Sequence, residues 1–141
     1  MLASMEAVRR LMDLRHRGRA EDLPGVLAAV APLLDAESAT VLLVDYGQLG
    51  LHPLRRDTLD PAVSFVVEDT LAGRAFTTAE PQWSDGLLWI PLLHGAERLG
   101  VLELRLKAYP SEEALRDLAV IAALIAELIA SRRFYPWTGP W

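Results

Sequence analysis

Leu87–Leu88–Trp89–Ile90–Pro91–Leu92–Leu93 is followed by His94–Gly95–Ala96–Glu97–Arg98 and then by Leu99–Gly100–Val101–Leu102–Glu103–Leu104–Arg105–Leu106. Two apolar runs flank a polar, glycine-containing reversal, the pattern of two antiparallel strands joined by a turn. The second run alternates toward its end, with Leu102, Leu104 and Leu106 on one side and Glu103 and Arg105 on the other, so one face of that strand end is wet. Asp85–Gly86, just upstream, is a turn signal, and Pro81–Gln82–Trp83–Ser84 before it reads as a brief strand.

Toward the N-terminus, Thr70 is placed to cap a short helix over Leu71–Ala72–Gly73–Arg74–Ala75–Phe76. Gly73 weakens that helix and points to close packing. Val63–Ser64–Phe65–Val66–Val67 is a short strand. Ala39–Thr40–Val41–Leu42–Leu43–Val44–Asp45 is almost continuously apolar, as expected for a strand covered on both faces. It pairs through Tyr46–Gly47–Gln48 with a weaker strand over Leu49–Gly50–Leu51–His52–Pro53–Leu54. Two helices precede these strands. The first covers residues 1–17, with Met5, Val8, Leu11 and Met12 at helical spacing and Gly18 at its end. The second starts from Asp22 as N-cap, with Pro24 in its first turn and Pro32 tightening its last. Downstream, Ser111, Glu112 and Glu113 open a long helix to about Arg133, with charges that match the helix dipole. This order predicts an α+β sandwich.

At 141 residues the chain fits one domain, and 52% apolar residues exclude a disordered chain. A net charge of −5 argues against a nucleic-acid partner. The five arginines Arg9, Arg10, Arg15, Arg17 and Arg19 in the first helix region have no aromatic residue among them, so they read as a solvated or ion-paired face. The absence of cysteine removes disulfides, thiolate metal sites, cysteine nucleophiles and thioether-linked cofactors, and it is compatible with a cytoplasmic location. The N-terminus lacks the apolar run of a secretory signal, and the apolar stretch from Leu118 to Ala130 spans about 20 Å as a helix, too short for a bilayer. No membrane role is expected.

The terminal helix is apolar on more than one side: Leu115, Leu118, Ile121, Leu124, Ile125, Leu128 and Ile129 spread beyond a single stripe. Either it is enclosed within one protomer or its outer side joins the first helix in an intersubunit bundle; a homodimer is the expectation, with Met5, Val8, Met12, Leu124 and Leu128 at the interface.

No nucleophile-elbow, zinc-protease, P-loop or dinucleotide motif is present, and no catalytic or metal site is expected. His16 and His94 read as solvated. His52 lies on a strand from which it can reach a cavity, although a single histidine without ligand partners is usually structural. Glu68–Asp69 sit ahead of Thr70, where an acid gains about 0.5 kcal/mol from the helix dipole. Phe65, Phe76, Trp83 and Trp89 either fill the core or line a small-molecule cavity between sheet and short helix, with Trp83 in a polar loop as its lid.

Four segments together, Ser38–Asp45, Asp69–Phe76, Trp89–Leu92 and Leu99–Leu104, resemble those of a GAF domain, over residues 20–133 and in the right order. The A-G-R-A-F run and the P-L…G-V-L hairpin are the most specific parts. The resemblance implies a GAF-like member of the PAS/GAF superfold: a central antiparallel sheet of five to six strands, first and last helices on one face and a ligand pocket on the other. It also implies a regulatory module of bacterial signalling proteins, without cofactor, passing a signal through its terminal helices to an output domain or partner. The alternative it leaves open is a sensor holding an apolar ligand against Phe65, Phe76, Trp83, Trp89 and His52. Cyclic-nucleotide binding does not carry over, since the chain has no Asn and only one Lys, Lys107. Chromophore attachment and reduction of free methionine sulfoxide both need cysteines that are absent. On this reading residues 1–19 form a dimerising, signalling helix and 134–141 an aromatic, proline-rich tail that serves as linker or docking strap.

Overall fold

The computed structural model describes residues 2–55 and 58–132. Helices α1 (Leu2–Arg17) and α2 (Leu23–Val30) lead into β1 (Ala36–Val44), β2 (Gly50–Arg55), β3 (Thr58–Leu59) and β4 (Phe65–Val66). Then come α3 (Leu71–Thr78), β5 (Gln82–Ser84), β6 (Leu87–His94), β7 (Glu97–Leu106) and α4 (Glu112–Arg132). The strands form one antiparallel sheet in the order β3-β2-β1-β7-β6-β5. β4 pairs with β2 on the edge that β1 leaves free, since Leu51 has Val44 on one side and Phe65 on the other. β3 and β4 therefore share one position, and the sheet is six positions wide. Only the two-residue β3 lacks a counterpart in the sequence reading.

Side-chain alternation sorts the apolar runs between two layers. Val41 and Leu43 of β1 and Leu102 and Leu104 of β7 join Leu11 of α1, Leu27 of α2 and Ile121 and Ile125 of α4 in the main core. Leu42, Val44 and Val101 point the other way, against Ala72, Ala75 and Phe76 of α3. The first and last helices thus share one face, as expected, and α3 covers the other.

Local chemistry sets the boundaries. Thr70 caps α3 by accepting from the Gly73 amide at 3.0 Å. A Cβ on Gly73 would lie 1.8 Å from the Val67 carbonyl oxygen, so only glycine fits where the helix meets the preceding chain. Asp85 and Gly86 both have positive φ, 50° and 83°, in the two-residue β5–β6 turn. Ser111 caps α4 through the Ala114 amide at 3.1 Å. The chain through Pro32 tightens into a 3-10 turn, Ala31–Leu34. Asp22 differs from expectation: its side chain does not cap α2 but accepts from the Arg19 amide, closing the loop before the helix.

Two findings revise the reading of the terminal helices. α1 buries Ala7, Leu11 and Leu14, not Met5, which is 63% exposed, and it belongs to the same core as the rest of the domain. α4 is covered on two sides, by β6 and by α1, so the protomer itself buries Leu118, Ile121, Ala122, Ile125, Ala126, Leu128 and Ile129. The apolar residues that α4 leaves exposed are the narrow strip Ala119, Val120 and Ala123, flanked by half-buried Leu124 and preceded by exposed Arg116. The sequence overstated the uncovered apolar surface because it shows how greasy a helix is, not how many neighbours reach it. The tail, 134–141, lies outside the described residues.

Candidate functional site

Three of the five expected ligand contacts meet on the α3 face. Trp89 and Phe65 stack edge to face with centroids 5.6 Å apart, and Phe76 packs in the same buried cluster with Leu42, Leu51 and Val101. The Trp89 indole N–H donates to Glu103 Oε2 at 2.9 Å, which satisfies the one polar atom that a tryptophan brings into a core. Trp89 and Phe76 are each 5% exposed. The aromatics pack between sheet and short helix; Phe76 also lines a cleft at the end of the sheet, and none of four clefts includes Trp89 or Phe65 in its lining.

The other two expected contacts stand on the opposite face. His52 pairs with Leu43, and Trp83 with Leu88, both partners being members of the main core. Cross-strand partners point the same way, so neither residue reaches the Phe65–Trp89 cluster. Trp83 packs edge to face on Tyr109 at 5.5 Å and is no lid over α3. The sequence signal that separates these faces is register: counting from the β1–β2 turn assigns His52 to the side of Leu54, away from Leu51.

His52 is a clamp. Its Nδ1 donates to the Asp60 carbonyl oxygen and its Nε2 is hydrogen-bonded to Asp45 Oδ2, each at 2.9 Å. Both ring nitrogens are thereby engaged. Asp45 also accepts from the Leu49 amide at 3.0 Å. Burial pushes the Asp45 carboxyl up, but the bonds from His52 and Leu49 and the charge of the imidazole outweigh it and hold the group below the usual carboxylate range. The clamp ties the β1–β2 turn to the loop after β3.

His94 is half exposed and bonded to Glu127 Oε2 at 2.9 Å, and Arg15 approaches the other oxygen at 3.7 Å. Glu127 thereby links α4 to α1 and to the β6–β7 turn, a contact invisible in a sequence separation of 33 residues. Among the described residues, no group of three or more His, Asp or Glu side chains is placed to hold a metal ion. No described helix is long and apolar enough to cross a membrane.

The larger clefts lie at the periphery. One of about 770 Å³ separates the start of α1 from the first turns of α4. Another of about 520 Å³ crosses the end of the sheet, lined by Tyr46, Gln48, Phe76, Leu99 and Ile129. A groove of about 1260 Å³ runs beside α3.

With this geometry the chain is similar to solved GAF domains. The GAF domain of a Coxiella burnetii phosphoenolpyruvate-protein phosphotransferase superposes with a TM-score of 0.75 at 16% identity, covering 94% of this chain and 95% of that one. The GAF domain of an Acinetobacter phosphoenolpyruvate-protein phosphotransferase gives 0.72 at 17% identity, covering 92% and 94%. fRMsr of Staphylococcus aureus, in its reduced form, gives 0.63 at 12% identity, covering 89% and 94%. No protein-family model matches the chain, and no curated protein matches it in sequence. The likeness establishes the fold: the chain is an α+β domain of the GAF fold.

Proposed function

We propose that the chain is a non-catalytic, cytoplasmic regulatory domain that pairs with a second copy through the outer faces of α1 and α4 and passes changes in their packing to an output domain or partner. The observation that carries this reading is the placement of exposed apolar residues on two neighbouring helices. Met5 is 63% and Val120 59% exposed, with Ala119 and Ala123 beside Val120, and Val8, Met12 and Leu124 half-buried. α1 and α4 run side by side in the same direction: Ala3 and Ser4 share a cleft with Ala114 and Asp117, and Arg15 reaches Glu127. Two such pairs, face to face, make a four-helix bundle in which the small Ala119 and Ala123 permit close approach. Leu128 is 1% exposed in its own protomer and offers no surface to a second chain; Val120 and Ala123 take its place in the proposed interface.

The solved relatives named as domains of phosphotransferases are consistent with a module that serves a larger protein. Scattering mass in dilute solution tests the pairing: a dimer supports it, and a monomer removes this route of signalling. A small-molecule ligand among Phe65, Phe76 and Trp89 requires those side chains to part. Mass spectrometry of the denatured protein tests this second reading, which a stoichiometric released compound would support.

A further inference from the structure

Five large apolar side chains that the fold leaves exposed, Tyr46, Leu49, Val63, Val66 and Leu71, gather around the β1–β2 turn, β4 and the start of α3. Leu49, Val66 and Leu71 line the 1260 Å³ groove together with Arg74 and Thr77. Val63 lies against Gly50, the strand partner of Val66. Leu49 is 75% exposed, more than Met5 or Val120 of the proposed pairing surface. Apolar surface gathered in this way marks a contact site.

We propose that this groove is the docking site of the chain's own aromatic segment, Phe134 to Trp141. Three observations lead there. First, α4 heads toward it: Ile129, three residues before Arg132, lines the 520 Å³ cleft, which also touches Phe76 on the far layer. That cleft crosses the end of the sheet and shares Gln48 with the groove. Second, the length is right. The nine residues after Arg132 reach about 28 Å at roughly 3.1 Å per residue in extended polyproline form. Passing from the helix layer over the sheet to the α3 layer takes about 20 Å, two layer spacings of roughly 10 Å. Third, the composition suits the site: Phe134, Tyr135, Trp137 and Trp141 supply large apolar surfaces, while Pro136 and Pro140 prevent continuation of α4 and favour extended chain. Tethering gives the segment a local concentration in the millimolar range, which favours it over any free competitor in dilute solution.

Because the chain has no cysteine, an engineered pair reports cleanly on this contact. Arg74→Cys on the groove rim and Thr138→Cys between the tail aromatics leave every apolar contact in place. Oxidation of the dilute full-length double variant is expected to give an intramolecular disulfide. Hydrogen exchange at residues 66–71 is expected to be several-fold faster in a chain truncated after Arg133. A disulfide formed only between chains, tested by mixing the two single variants, would assign the groove to a second copy and overturn the proposal. Unchanged exchange on truncation would overturn it as well.

Discussion

Gly73 shows how far a single residue can determine the α3 side of the fold. The Val67 carbonyl occupies the space of its missing side chain, so Gly73→Ala forces the chain before α3 away from the helix. A destabilisation of about 2 kcal/mol or more is expected in urea unfolding, at the upper end of ordinary overpacking. Thr70, Gly73 and Ser111 were legible in the sequence because capping and close approach depend on neighbours within a few residues. His52 and Trp83 were not, because their faces depend on strand register. Asp45 carries a pH-dependent share of stability. Its native pKa lies below that of the unfolded chain, so its contribution is present above the usual carboxylate range and is lost as pH falls through the lowered native value. Asp45→Ala is expected to cost about 2 kcal/mol at neutral pH, the scale of hydrogen bonds to a charged group. The difference from the unmodified protein should shrink in acid, as urea midpoints at the two pH values will show.

Among the elements, α4 separates what hydropathy reveals from what packing decides. Its apolar residues were all visible in the sequence, yet their division between core and surface depends on α1 lying alongside, which no local pattern encodes. The two classes of residue respond differently to substitution. Leu128→Ala removes a side chain buried in the protomer and is expected to lower stability by about 2–5 kcal/mol. Val120→Glu sits on the outer strip, where the unfolding free energy of the isolated protomer should change by no more than about 0.5 kcal/mol. Denaturant titration at low protein concentration distinguishes them. The β6–β7 hairpin was the most readable element, because its wet end left Glu103 and Arg105 alternating with leucines. β3 was the least readable, since two residues are too few to carry a period.

For the whole molecule, the order of elements and the apolar runs were enough to reach an α+β sandwich and the resemblance of four segments carried it to the GAF fold, while the expected ligand contacts divided between the two faces of the sheet. The aromatics that remained together pack on one another, Phe65 edge to face on Trp89 with Phe76 in the same buried cluster. The two proposals made above concern surfaces: the α1–α4 strip for a second copy and the groove beside α3 for the tail. A specific interface of ordinary size buries about 800 Å² on each partner, so the strip must recruit residues along both helices to suffice. The most direct measurement is the scattering mass of the full chain beside that of Val120→Glu across a dilution series. Twice the chain mass for the former and a single chain mass for the latter is the predicted result; a single chain mass for both at every concentration would contradict it.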